Sequence, residues 1–172
     1  MGLLWSSQLP PDATIWDAQA APRLMGTAIA LTLHRPDAED LVQDTIIKAL
    51  TQWGKVSRAD SVDAYVRKIM VNTFISGRRR RSATEIISHE FVITASQAAP
   101  SAESSITDRA ALDTLLATLP PRHRAVLVLR YYHDLPDPVI ADILGCSDAN
   151  VRVMAKRALD AIRPRMSDTV TA

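Results

Sequence analysis

The sequence predicts an all-α chain of two small helical domains, an N-terminal helical bundle and a C-terminal helix-turn-helix, joined by a flexible linker. Three observations carry this. Apolar residues make up 47% of the 172, while aromatics make up 5% and Gly numbers five, a balance that favours helices over a sandwich or barrel. Apolar positions recur at helical spacing toward both ends of the chain. Between them, residues 82–107 lose that period, are rich in Ser, Ala and Thr, and contain Pro100. The predicted boundaries are 12–81 for the first domain, 82–107 for the linker and 108–166 for the second.

The first helix takes Asp12 or Thr14 as its cap and Ile15, Leu24, Ala28 and Leu31 as its apolar stripe. Pro22 is expected to bend it or start a new segment. Arg35-Pro36-Asp37 breaks the chain, and Asp37 is a good N-cap, with Glu39 and Asp40 in the first turn. A second helix is predicted from about Ala38 to Trp53, with Ala38, Leu41, Val42, Thr45, Ile46 and Ala49 on one face. Gly54 to Asp60 reads as a loop. Ser61 caps a third helix, with Val62, Tyr65, Val66, Ile69 and Thr73 inward, which leads into Gly77 and the run Arg78–Arg81.

The linker is assigned a short ordered stretch near Glu85–Ile93. Beyond it, Leu112, Leu115, Leu116 and Leu119 line a helix that Pro120-Pro121 ends. Arg122–Tyr132 forms the next, Asp134-Leu135-Pro136 a turn, and Asp137 the cap of a short helix, Pro138–Leu144. Gly145 stands where a left-handed residue is needed. Ser147 caps a final helix from Asp148 to about Arg163, where Pro164 is expected to stop it.

Charge is segregated. Residues 1–81 hold 11 Lys+Arg and 8 Asp+Glu, residues 82–107 hold three Glu and no base, and residues 108–172 hold 9 bases and 8 acids. A charged partner touched at separate places fits such a pattern. The lone Cys146 excludes an internal disulfide framework or a cysteine-based zinc site and fits a reducing, cytoplasmic setting. No apolar run spans a bilayer, so no membrane insertion is expected, and the N-terminus shows no signal-peptide pattern. Met1-Gly2 with Ser6 matches a myristoylation motif only superficially. The four histidines lack metal spacing, and no Walker loop or dinucleotide fingerprint occurs. Neither an enzyme nor a cofactor is expected.

A short helix, Gly145-Cys146-Ser147 and a second helix make the helix-turn-helix pattern. Val151, Met154 or Ala155, Ala158 and Ile162 supply its apolar face, while Arg152, Lys156 and Arg157 project elsewhere. Arg binds guanine edges bidentately, and both residue types neutralise phosphate. A solvated helical corner is the plainer alternative. Arg78–Arg81 repel one another unless a polyanion is near; a solvated helix end is the alternative there. Asn72 offers a donor and an acceptor from the surface.

Two segments add a resemblance. DAEDLVQDTIIKAL (Asp37–Leu50) with the following DAYVRKIMVNTFISGRRRR, and LATLPPRHRAVLVLRYYHDLPDPVIADILGCSDANVRVMAKRALDAIR, together resemble the two domains of extracytoplasmic-function (ECF) sigma factors, in their usual order. The resemblance covers most of residues 12–165. It implies a factor that binds core RNA polymerase at the β′ clamp helices and β flap, recognises the minus-ten and minus-thirty-five promoter elements, and helps open promoter DNA.

It also implies roles by residue. Asp40, Gln43, Asp44 and Lys48 would dock on the clamp helices. Asn72 would contact a base flipped from the non-template strand, with residues 56–63 as a wall of its pocket. Arg67, Lys68, Arg78, Arg79 and Arg80 would hold phosphates nearby. Ala149, Asn150, Arg152, Val153, Lys156 and Arg157 would read the minus-thirty-five element, and Arg130 would touch the backbone. The acidic linker would thread the cationic cleft of the polymerase. Members often carry a Gly-Thr pair at Ala149-Asn150 and Ser at Val153, so the sequence read here should differ.

Two other readings stand beside this one. A sigma-mimicking regulator would bind an anti-sigma factor and leave DNA alone, but no receiver pattern accompanies the chain and the basic residues are present. A dimeric helix-turn-helix regulator would leave the AEDLVQ segment and the acidic linker without a task. An anti-sigma factor is also a possible partner of the sigma factor itself.

Overall fold

Proline stands at the first or second position of four of the described helices, where a missing N–H costs nothing. The computed structural model describes residues 10–84 and 103–170. Helix α1 (Pro11–Thr32) begins with Pro10 as its cap, not Asp12 or Thr14. Those two side chains are engaged elsewhere: Asp12 accepts the Trp53 indole N–H at 3.0 Å, and the Thr14 hydroxyl donates to the Pro10 carbonyl at 3.3 Å. The helix also runs on through Pro22, against the predicted bend. Pro22 and Ala18 are both exposed, so the carbonyl freed by the missing N–H faces water. The side chain of Ile15 lies outside the described residues.

The break comes at Leu33, held at φ 60°, two residues ahead of the predicted Arg35. Helix α2 (Arg35–Thr51) is capped by His34. Pro36 pre-sets the first turn, which takes Asp37 inside the helix and ends its expected role as cap. Where a loop is predicted, Trp53–Val56 forms a single turn, α3, because both end residues bury. Trp53 stacks on Trp16 with centroids 5.3 Å apart, at the centre of a cluster with Ala13, Ala20, Ala49, Val66 and Ile69.

Helix α4 (Val62–Thr84) starts as predicted, with the Ser61 hydroxyl accepting the Ala64 N–H at 3.2 Å. It buries two faces. Val66 and Ile69 join the tryptophan cluster. Met70, Val71 and Phe74 join a second cluster with Leu31, Leu41, Val126, Leu129, Ile140 and Leu144. The second face was not read from the sequence, because its partner is the C-terminal half.

That half begins with α5 (Glu103–Ala117), which starts within the stretch assigned to the linker. The short ordered stretch expected near Glu85–Ile93 lies outside the described residues. Helix α6 (Pro121–Leu127) runs into a π-helical turn, Val128–Tyr132. Helix α7 (Asp137–Leu144) has Pro136 as its cap, because the Asp137 carboxylate is turned to Arg130 instead. Gly145 adopts the predicted left-handed φ of 60°, and the Ser147 hydroxyl caps α8 (Asp148–Val170) at the Asn150 N–H, 3.3 Å. Pro164 does not end α8; proline removes one rung of the ladder, and the neighbouring rungs carry the helix across. Val151, Ala155, Ala158 and Ile162 are buried as the periodicity predicts.

Candidate nucleic-acid and polymerase interfaces

Helices α2 and α4 pack side by side and leave a groove between them. It holds about 370 Å³ and is lined by Lys48, Gln52, Tyr65, Lys68, Ile69, Asn72, Thr73 and Ser76. That is within the range of small-ligand clefts, large enough for one planar ring. Asn72 is exposed on its wall. Lys48 leans in and donates to the Thr73 hydroxyl at 3.0 Å, and Thr73 in turn donates to the Ile69 carbonyl at 2.8 Å. Gln52 and Tyr65 were not singled out from the sequence; only the pairing of α2 with α4 brings them beside Asn72. Residues 56–63 add nothing to this groove. Ser57, Ser61, Val62 and Asp63 line another hollow, with Asp12, Trp16, Arg23 and Trp53.

The four α2 residues assigned to polymerase thus divide. Asp40, Gln43 and Asp44 are exposed, and Asp40 and Asp44 edge a small cleft with Phe74 and Gly77, while Lys48 faces Asn72. Among the phosphate-binding candidates, Arg67 and Lys68 lie where the two halves of the molecule meet. Lys68 reaches Asp142 on α7 at 2.8 Å. Arg67 stands by His133, whose Nε2 is 2.9 Å from the Thr27 hydroxyl. Burial first, and the Arg67 charge second, push this imidazole down to about 4, so it is neutral near pH 7. The backbone of α4 carries through Arg78, Arg79 and Arg80, whose side chains lie outside the described residues.

On α8, Ala149, Asn150, Arg152, Val153, Lys156 and Arg157 are all exposed. Their spacing of three and four residues gathers them on adjoining stripes opposite the buried Val151, Ala155 and Ala158. Lys156 pairs with Asp160 on its own helix at 2.7 Å, and this hydrogen bond lowers the Asp160 carboxyl below its usual range. Arg130 is held by Asp137; the hydrogen bond between them raises its affinity for the proton. That guanidinium braces α7 against the π turn.

One cation was overlooked in the sequence. Arg124 is 3% exposed, among the most buried charges a protein tolerates. It donates to the carbonyls of Leu116, Ala117 and Leu119 at the end of α5, and to the Leu31 carbonyl in the last turn of α1 at 2.9 Å. Helix C-termini carry orphan carbonyls and partial negative charge, so one guanidinium satisfies two of them. Its Cζ also lies 6.0 Å from the centre of the Phe74 ring.

Known proteins share this architecture and these stretches of sequence. Residues 18–84 match the family described as Sigma-70 region 2, and residues 109–162 match Sigma-70, region 4. The RNA polymerase sigma factor YlaC of Bacillus subtilis is 31% identical over 140 residues, covering 79% of this chain and 81% of its own length. The RNA polymerase sigma-E factor of Streptomyces avermitilis is 28% identical over 143 residues, covering 83% and 78%. Among solved structures, the sigma factor RpoE of Bartonella quintana, in complex with the anti-sigma factor NepR, superposes with a TM-score of 0.72 at 25% identity. That match covers 92% of this chain and 98% of the other. No helix among the described residues is long and apolar enough to cross a membrane. The chain belongs to the ECF group of RNA polymerase sigma factors, and its function is that of a sigma factor in transcription initiation.

Proposed function

We propose that the chain docks on core RNA polymerase, reads two promoter elements and opens the duplex between them. Asp40, Gln43 and Asp44 form the exposed acidic face for the β′ clamp helices, with Lys48 at its end. Asn72 meets a flipped minus-ten base in the α2–α4 groove, and Arg67, Lys68, Arg78, Arg79 and Arg80 hold phosphates beside it. Helix α8 reads the minus-thirty-five element through Ala149, Asn150, Arg152, Val153, Lys156 and Arg157. The domains act as units of 12–81 and 108–166 joined by 82–107. Work in the cytoplasm, with no catalysis and no cofactor of its own, belongs to the same reading. So does control by an anti-sigma factor, a partner that the solved relative carries.

The observation that supports this best is the groove itself. An exposed carboxamide stands among two lysines and a tyrosine, so a base can find hydrogen bonds, a ring contact and a counter-charge in one place. Purified protein with core polymerase should initiate at a specific promoter in vitro. Absence of core binding at low salt would sink the reading. Asn72→Ala should impair strand opening, read by permanganate footprinting, and leave core binding intact; normal opening would remove Asn72 from its role.

A further inference from the structure

Of the large apolar side chains exposed among the described residues, one stands on α8: Val153, 46% exposed. It lies in the second turn of that helix, within the N-terminal part that meets base edges when a recognition helix enters the major groove. Ala149 and Asn150 precede it by four and three residues, and Lys156 and Arg157 follow it by three and four; all four are exposed. Residues at those separations are neighbours on a helix surface. Val153 is therefore the centre of the exposed face, an isopropyl group beside one methyl, one carboxamide and two cations. Val151, Ala155 and Ala158 carry the packing on the opposite side, so the fold makes no demand for valine here.

A lone exposed valine is ordinary on a protein surface. Its place among side chains that bind DNA gives it a task. Base edges in the major groove present donors and acceptors, with one exception: the C5 methyl of thymine is apolar. An isopropyl group set against a donor or acceptor strips its water and returns no hydrogen bond, which is a loss. Set against the thymine methyl, it removes apolar surface from water on both sides. Valine in a helix is also nearly fixed at χ1, so the methyl groups project to one place and do not swing aside for another base.

We infer that Val153 is a specificity-determining residue that selects thymine, through its C5 methyl group, at a position inside the minus-thirty-five element. This rests on the proposed role of α8 as the reader of that element. Neighbouring side chains on a helix stand about 5–6 Å apart, and base pairs rise ~3.4 Å per step. The thymine therefore lies one or two base pairs from the bases that Asn150 and Arg157 reach, flanked on both sides. Uracil keeps every hydrogen-bonding group of thymine and lacks the methyl, so it isolates this contact from all others on the helix.

The test uses the full chain bound to core polymerase. Promoter templates with a randomised minus-thirty-five region are selected for binding, and each thymine of the preferred sequence is then replaced singly by deoxyuridine. One replacement is expected to weaken binding about fourfold, the worth of one buried carbon. Val153→Ala should bind the thymine template more weakly than the parent and be indifferent to deoxyuridine at that position. Alanine is a better helix former than valine, so the variant keeps α8. A preferred sequence in which no thymine is sensitive to the replacement would overturn the proposal alone. So would an equal penalty in Val153→Ala, which would place the methyl against another group. A selection that returns no preferred sequence removes the reading of this element by α8, and the proposal falls with it.

Discussion

The two DNA-facing surfaces use the same kinds of side chain and stand in opposite states. On α8, Arg152 and Arg157 face solvent, and Lys156 has only a neighbour on its own helix. On α4, Arg67 and Lys68 face the other half of the protein, one beside a neutral imidazole and the other on a carboxylate. The difference arises from what each helix packs against, since α4 is buried on two faces and α8 on one. A cation's availability is thus set by tertiary packing as much as by sequence.

Arg124 gives the strongest way to break the contrast. Arg124→Met removes the guanidinium and leaves carbonyls of α1 and α5 without their donor. The chain should lose about 3–5 kcal/mol, because charge, hydrogen bonds and packing go together. Urea unfolding would measure it, and a loss below about 1 kcal/mol would show that the carbonyls find water. Arg152→Ala acts on the open surface only. Binding to a minus-thirty-five duplex should weaken by roughly 1–3 kcal/mol if the contact is bidentate, with thermal stability unchanged. Ser147→Ala tests whether the turn before α8 aims it. It should cost about 1 kcal/mol in thermal unfolding through loss of the cap. Lys156→Ala should lower the salt dependence of duplex binding by about one phosphate contact, with little effect on sequence preference.

The smallest effect comes from pH. His133 is held neutral in the folded chain, with its proton affinity depressed to about 4 against 6.5 when free. Between these values the unfolded chain binds a proton that the folded chain refuses, so this contribution to stability is full above pH 6.5 and weakens as pH falls toward 4. The slope is at most about tenfold per pH unit, and partial exposure screens it further. Arg23, Arg67 and Asp63 line the same cavity and set the local field. Stability to urea should fall from pH 7 to pH 5, and His133→Phe should flatten that response.

Local features were legible in the sequence. The cap at Ser147, the left-handed Gly145 and the exposed stripe on α8 depend on residues within one or two turns of each other, so periodicity alone finds them. Features that need two elements were not. Met70, Val71 and Phe74 lie off the stripe that the third helix shows by itself, and their burial follows from α7, some 70 residues on. Gln52 and Tyr65 look ordinary until α2 and α4 stand together. Arg124 reads as one more charge in a basic helix; its burial depends on where α1 and α5 happen to end. Pro22 and Pro164 misled for the opposite reason, as proline marks a lost bond and tertiary context decides whether a helix survives it.

The bond from Arg124 to Leu31 runs to a backbone oxygen, and this shapes how the contact ages. Every residue carries the same carbonyl, so position 31 can drift among apolar side chains without loosening it. No compensating change at position 124 is called for. A family tree would therefore show no correlated substitution between these positions, although they join the two halves of the protein. Statistical searches for paired positions would pass over this latch, and mutagenesis at Arg124 is the direct way to find it.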